Sequence, residues 1–414
     1  MDRALLVGLS LHEKQEDILK SLDELEHLAL ALHIKTIDKV YQKAKTISLR
    51  LYIGSGKVEE IKTMIEVLDI DLVIFDDPLS PAQLKNLESH LDCQVIDRSF
   101  LILSIFSERA QTKEAVLEVS LAQKLYMLPR LIGLGKSLSR QGGGTYNAKG
   151  PGETKLELDR RRLLRDIYTI KKELEKIKKE KQISRQKREK NRIPVVSLVG
   201  YTNAGKSSLM NSLSRALNHP NDDVLEKDML FSTLDTKAKK LSKDNHPPFI
   251  LVDTVGFISK LPHELIKSFE TTLSDVITSD LIIHVCDGAH YNPLHLETTK
   301  EVLEKLGADH IERLLVLTKK EIALEQPNIP DDYLYVSNRT AENIDLLIDA
   351  IYGHIYQHRK IAVLKIPFEM GYIIKELKER HTILEVSHVE DGTFVKAVLS
   401  REFLEKYSHF VFEY

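Results

Sequence analysis

The chain has 414 residues, 42% hydrophobic and 29% charged, the balance of a globular protein with room for about three domains rather than of a disordered one. No apolar run reaches the roughly 18 residues of a membrane span, and MDRALLVGLSLHEKQ lacks the layout of a secretory leader, so a cytoplasmic protein is expected. The formal net charge of −3 conceals one basic segment: between Lys155 and Arg192, 16 Lys/Arg stand against 7 Asp/Glu. Such an arm fits either a polyanion or a solvated helix face. The two cysteines, Cys93 and Cys286, sit far apart in apolar runs and read as reduced core thiols rather than a disulfide or metal centre.

In chain order, RALLVGLS reads as a strand. Residues 12–33 read as a helix with Leu19, Leu22, Leu25, Leu28 and Leu32 on one face. A strand-like stretch extends to Ile53, followed by the helix GSGKVEEIKTMIEVL, the strand DLVIFDD, and the helix SPAQLKNLESHL with Ser80 as N-cap and Pro81 at its first position. CQVID closes a set whose alternation predicts a small parallel sheet over residues 1–98. GSGK at 54–57 has the wrong spacing for a full phosphate loop and reads more simply as a turn entering a helix.

Residues 99–192 read as a helical hairpin. The first helix spans Ser99 to Leu128, with Leu117, Leu121, Leu125 and Leu128 on one face and Pro129 disturbing its end. The second carries Leu163, Ile167, Ile170, Leu174 and Ile177 at spacings of four and three, a heptad seam suited to antiparallel pairing. Between them lies a glycine-rich tip, and a basic linker follows. Strand–helix alternation resumes over 193–360. Residues 361–414 form a small α+β appendix, in which Asp391-Gly392 marks a hairpin turn.

The chemistry concentrates in 193–360. The strand IPVVSLVG runs into Gly200-Tyr201-Thr202-Asn203-Ala204-Gly205-Lys206-Ser207 and then the helix SSLMNSLSRAL, which includes Ser208, the complete G-x-x-x-x-G-K-S loop in strand–loop–helix context. Its backbone N–H groups would cradle phosphates, Lys206 would reach the outer ones, and the Ser207 hydroxyl would ligate Mg²⁺. Asp253 ends the apolar strand PFILVD, where an acid holds Mg²⁺ through water. Thr254, Val255 and Gly256 complete D-x-x-G, whose glycine N–H senses the γ-phosphate. Between these motifs, Phe231-Ser232-Thr233-Leu234 offers a hydroxyl that completes the Mg²⁺ shell only in the triphosphate state. Thr233 is the stronger candidate and Thr236 the weaker.

Base reading is less regular. Asn-Lys-x-Asp, the usual guanine loop, appears as Thr318-Lys319-Lys320-Glu321, and the usual Ser-Ala as Ser337-Asn338. Glu321 keeps a carboxylate for the guanine N1–H and amine, whereas adenine would oppose it with an acceptor, so guanine is expected with reduced selectivity.

The stretches IGSGKVEEI, AQKLYMLPRLIG, LSRQGGG, GPGETKLELDRRR, VGYTNAGKSSLMNSL, LFSTLDT and DTVGFISKLPHELIKSF resemble the HflX family of translational GTPases along nearly the whole chain. The resemblance implies an α/β P-loop GTPase domain preceded by an N-terminal α/β domain and a helical hairpin. It also implies Mg²⁺-dependent GTP hydrolysis to GDP, and binding to the large (50S) ribosomal subunit, with stalled ribosomes split or rescued. It supports Thr233 as the switch residue, alongside Lys206 and Gly256 in catalysis, and implies that Phe257 stands where a water-orienting glutamine would otherwise be. It points the glycine-rich tip toward ribosomal RNA. There Arg140, Lys149, Arg160, Arg161 and Arg162 would pair with phosphates and Tyr146 would stack on a base. The protein is expected to act as a monomer. Two other readings stay open: a less selective NTPase that also takes ATP, and an RNA-binding assembly factor with a structural nucleotide.

Overall fold

The computed structural model describes residues 2–11, 14–138, 155–191, 193–217, 237–243, 246–260, 276–323, 327, 329, 332–357 and 359–413. The chain divides into two compact units. One comprises Met1–Lys176 together with Lys260, and the other the described residues from Ile177 onward apart from Lys260. Among the described residues, no helix is long and apolar enough to cross a membrane.

The first unit opens with a four-stranded sheet in the order β2-β1-β3-β4, formed by β1 (Arg3–Ser10), β2 (Lys35–Lys43), β3 (Leu72–Phe75) and β4 (Gln94–Asp97). Every pairing is parallel. The strands β1 and β3 are buried almost throughout, as a sheet covered on both faces requires. The helix α1 (Gln15–Ala31) buries Ile18, Leu22, Leu25, Leu28 and Ala29, whereas Leu19, expected on that face, is exposed. Strand β2 stops at Lys43, ten residues short of the expected extent, because residues 44–54 turn around a Ser48–Tyr52 bridge. The GSGK stretch is the start of a helix: Gly54 caps α2 (Ser55–Leu68), and Lys57 pairs with Glu60 in its first turn. Helix α3 (Pro81–Leu91) begins with a capping box between Ser80 and Gln83 and has Pro81 at its first position.

The expected single helix from Ser99 is two, α4 (Arg98–Arg109) and α5 (Lys113–Leu138). Asp97 caps the first by accepting from the Phe100 N–H at 2.9 Å. The break arises because the Thr112 hydroxyl accepts from the Ala115 N–H and starts a new helix. Pro129 lies inside α5 rather than ending it. Nearby, Arg130 stacks on Tyr126 and donates to the Tyr126 and Leu79 carbonyls. Helix α6 (Lys155–Asn191) packs Ile167, Ile170 and Leu174 against Leu117, Leu121 and Leu125 of α5. Lys124 meets Asp166 and Lys113 meets Glu173, so the two helices run antiparallel, as the heptad seam implies.

The second unit contains a six-stranded sheet, β10-β9-β8-β5-β7-β6, built from β5 (Val195–Gly200), β6 (Lys237–Leu241), β7 (Phe249–Asp253), β8 (Leu281–Asp287), β9 (Arg313–Thr318) and β10 (Tyr333–Tyr335). Only β6 runs antiparallel. Its core joins Val196, Leu198, Leu251, Ile283 and Val316 to α7 (Lys206–Ala216) and α9 (Ile344–Ile355), while α8 (Pro293–Lys305) follows β8. The last segment forms an antiparallel sheet, β12-β13-β11-β14, from β11 (Arg359–Ile366), β12 (Thr382–Val389), β13 (Gly392–Ser400) and β14 (Val411–Glu413), with α10 (Gly371–Arg380) and α11 (Arg401–Lys406). The hairpin turn is Glu390-Asp391, one residue earlier than expected, since Gly392 already pairs with Val389.

Candidate nucleotide-binding site

The G-x-x-x-x-G-K-S loop lies between the C-terminal end of β5 and the start of α7, in the middle of a mostly parallel sheet. Open α/β sheets place ligands in that position. The loop needs unusual backbone: Asn203 has φ +57° and Gly205 φ +86° at the N-cap of α7. Asparagine tolerates the left-handed region and glycine enters it freely.

Lys206 is buried and donates to the Gly200 and Tyr201 carbonyls at 3.1 and 2.8 Å. Burial pushes its pKa down to about 8, against the opposing pull of Asp253. An ammonium held in so poorly hydrated a place interacts strongly with any phosphate that reaches it. The Ser207 hydroxyl donates to Asp253 Oδ2 at 2.7 Å, and both residues are buried. Two adjacent hard oxygens of this kind suit Mg²⁺, which neutralises phosphate charge when bound.

D-x-x-G is bound to the loop through its backbone. The Phe257 N–H donates to the Gly200 carbonyl at 3.0 Å, and the Thr202 N–H to the Phe257 carbonyl at 2.7 Å. The approach is close enough to require glycine, since a Cβ on Gly256 would lie 2.7 Å from Thr202 Cα and 3.0 Å from Lys206 Nζ. Thr254 donates its hydroxyl to the Leu198 carbonyl at 2.6 Å, so that side chain braces β5, and Val255 is buried beside it. Phe257 is only 2% exposed. Its ring belongs to the core and offers no group to orient water.

The residues expected to read the base lie at or just beyond the ends of the neighbouring strands β9 and β10. Thr318 is buried and donates to the Ala204 carbonyl at 2.7 Å. Lys319 adopts φ +62° and pairs with Asp287 at 2.8 Å. Glu321 lies exposed in the short 3₁₀ turn that follows. The Ser337 hydroxyl accepts from the Thr340 N–H at 3.0 Å, and Asn338 Nδ2 donates to the Gly205 carbonyl at 3.3 Å.

Phe231, Ser232, Thr233, Leu234 and Thr236 lie outside the described residues, as do Arg140, Tyr146 and Lys149. Arg160, Arg161 and Arg162 are exposed near the start of α6.

Two contributors escaped the sequence reading. Asp287 ends β8 and holds Lys319; burial pushes its carboxyl up, yet the Lys319 hydrogen bond and charge, with the His290 N–H, carry it below the ordinary range. An acid closing the apolar run LIIHVCD was the available sign. His295 of α8 stacks on Tyr201 with ring centroids 3.7 Å apart, and Tyr201 Oη accepts the Ser259 N–H at 2.7 Å. The side chain of Tyr201 thereby joins the loop to the segment after D-x-x-G. No local pattern marks that stacking.

Comparison with known proteins converges on one family. Models described as GTP-binding GTPase N-terminal, GTP-binding GTPase middle region and 50S ribosome-binding GTPase match residues 19–107, 109–188 and 195–319. GTPase HflX of Caldanaerobacter subterraneus subsp. tengcongensis is 40% identical over 411 residues, covering 99% of this chain and 94% of that relative. The chain belongs to the HflX family of GTPases. A second HflX relative, from Escherichia coli, is 35% identical over 404 residues, covering 95% of this chain and 92% of its own. A crystal structure of a GTP-binding protein from Sulfolobus solfataricus in complex with GDP aligns with 86% of this chain and 99% of its own, at 26% identity and a TM-score of 0.42. As an HflX GTPase, the chain is a GTP-hydrolysing enzyme.

Proposed function

We propose that this GTPase binds the large ribosomal subunit in its GTP state, hydrolyses GTP under ribosome stimulation, and in doing so splits or rescues stalled ribosomes. The observation that carries this reading is Phe257, buried where a water-orienting side chain would be useful. An enzyme without that group hydrolyses slowly until a partner positions the water. The family model over 195–319 is described as a 50S ribosome-binding GTPase, which supports the large subunit as that partner. The exposed Arg160, Arg161 and Arg162 lie at the start of the basic helix α6, next in sequence to the glycine-rich stretch, and suit contact with RNA phosphates.

In this reading Ser207 and Asp253, which meet at 2.7 Å, would hold Mg²⁺ with Thr233 as a further ligand in the triphosphate state, and the ion would supply neutralisation of phosphate charge. Lys206 stabilises the β- and γ-phosphates, and the Gly256 N–H senses the γ-phosphate. Arg140, Tyr146, Lys149 and the three arginines of α6 contact ribosomal RNA. The rival of a structural nucleotide in an assembly factor makes the opposite kinetic prediction.

The test is turnover with and without purified large subunits. Isolated protein is expected to be slow, and subunits to accelerate it by about tenfold or more. Deleting the glycine-rich tip, residues 139–153, is expected to leave basal turnover intact and to remove most of that acceleration, since its contact with RNA is lost. A turnover rate indifferent to large subunits would favour the structural-nucleotide rival.

A further inference from the structure

Two of the three departures from the usual base-reading sequence, Thr318 for asparagine and Asn338 for alanine, meet at one point of the structure. Thr318 Oγ1 donates to the Ala204 carbonyl at 2.7 Å, with the Cys286 carbonyl at 3.2 Å. A hydroxyl has one proton, so it fully serves only one of these acceptors. The next carbonyl of the phosphate loop, that of Gly205, accepts the Leu209 N–H of α7 at 2.8 Å and, as a second donor, Asn338 Nδ2 at 3.3 Å. A Cβ built on Gly205 would lie 3.2 Å from Thr318 Oγ1 and 3.3 Å from Asn338 Nδ2. Both side chains therefore close over the same part of the loop.

The placement of Asn338 is held independently of its amide. Its carbonyl accepts the Ser212 hydroxyl of α7 at 2.8 Å, and the Ser337 N–H donates to the Glu342 carbonyl at 3.1 Å. The amide is thus presented by a fixed backbone.

We propose that Thr318 and Asn338 form a coupled positioning pair, in which the amide absent from the end of β9 is supplied by Asn338 from the loop after β10. Resting on the GTPase reading of this site, the pair sets the spacing between the phosphate loop and the guanine-reading loops. Threonine lacks the amide that asparagine would bring to 318, and asparagine brings one where alanine has none, so the exchange moves the amide from 318 to 338. Each residue is then suited to its partner rather than to the usual motif. An asparagine at 318 beside Asn338 would bring two amides to one place, whereas an alanine at 338 beside Thr318 would leave the Gly205 carbonyl with the Leu209 N–H alone and the space over the loop unfilled.

A double-mutant cycle tests this: Thr318→Asn, Asn338→Ala and the combined variant, measured by binding of fluorescent GDP and by unfolding midpoint without nucleotide. Each single change is expected to weaken GDP binding about fivefold, and the combination to return within twofold of wild type. Asn338→Asp keeps the volume but turns a carboxylate toward the Gly205 carbonyl, and is expected to bind more weakly than Asn338→Ala. The unfolding midpoints are expected to follow the same recovery, so a variant too unstable for binding assays still reports the coupling. Effects of the two single changes that simply multiply in the combined variant would overturn the pair. Failure of wild type to bind GDP would instead overturn the nucleotide reading beneath it.

Discussion

Lys206→Ala loses GTP turnover by about two to three orders of magnitude, the scale of removing one preorganised charge-stabilising donor. Lys206 is the sole cationic residue within Gly200–Ser207. Its Nζ lies 3.0 Å from where a Cβ on Gly256 would be, so it stands where the phosphate loop meets D-x-x-G. The loss is chemical rather than structural. Burial already pushes the lysine toward its neutral form, at a pKa of about 8, so removing it relieves a desolvation cost in the nucleotide-free protein. Saturating GTP should not restore the rate, and the unfolding midpoint should not fall. A folded Lys206→Ala protein with near-normal turnover would show that phosphate chemistry takes place elsewhere.

Arg98→Ala produces the largest stability loss expected in the first unit. The guanidinium is fully buried, pairing with Asp76 at 2.7 Å and with Glu24, and Asp76 is itself fully buried. Removing one member of a buried ion pair costs about 3–5 kcal/mol because the remaining charge stays in a poor solvent. The lower end applies here. Asp76 also accepts from the Ser21 hydroxyl at 2.6 Å and pairs with Lys260 at 2.5 Å, so part of its charge remains compensated. A loss of about 3 kcal/mol corresponds to about 6–12 °C in the unfolding transition of a unit this size. Thermal unfolding followed by circular dichroism measures it, and a shift below about 2 °C would mean that the pair contributes little.

The elements most legible in the sequence were those whose cause is local. Ser80 with Gln83 and Pro81 announces the start of α3, and β5, the phosphate loop and α7 follow each other as their residues imply. The hairpin of α5 and α6 was readable because a heptad seam repeats over several turns. Errors arose where one residue decides between two local states. Thr112 interrupts an otherwise continuous apolar pattern by capping a new helix, and Pro129 is accommodated inside α5. Leu19 and Ile18 are both apolar, and the sheet buries Ile18. At the candidate site, the motifs named the loop residues. The bonds that organise the loop, Tyr201 to Ser259, Asp287 to Lys319 and Asn338 to Gly205, join positions 32 to 133 residues apart. Such pairings leave no periodicity. The substitutions at 318 and 338 were each visible in the chain, but their common target became visible only with both loops in place.

Nucleotide-dependent co-sedimentation with purified large ribosomal subunits tests the proposed function most directly. Bound to a non-hydrolysable GTP analogue, the protein is expected to pellet with the subunits, and bound to GDP to stay largely in the supernatant. Equal pelleting in both states, or none in either, would contradict a GTPase that engages the large subunit in its GTP form.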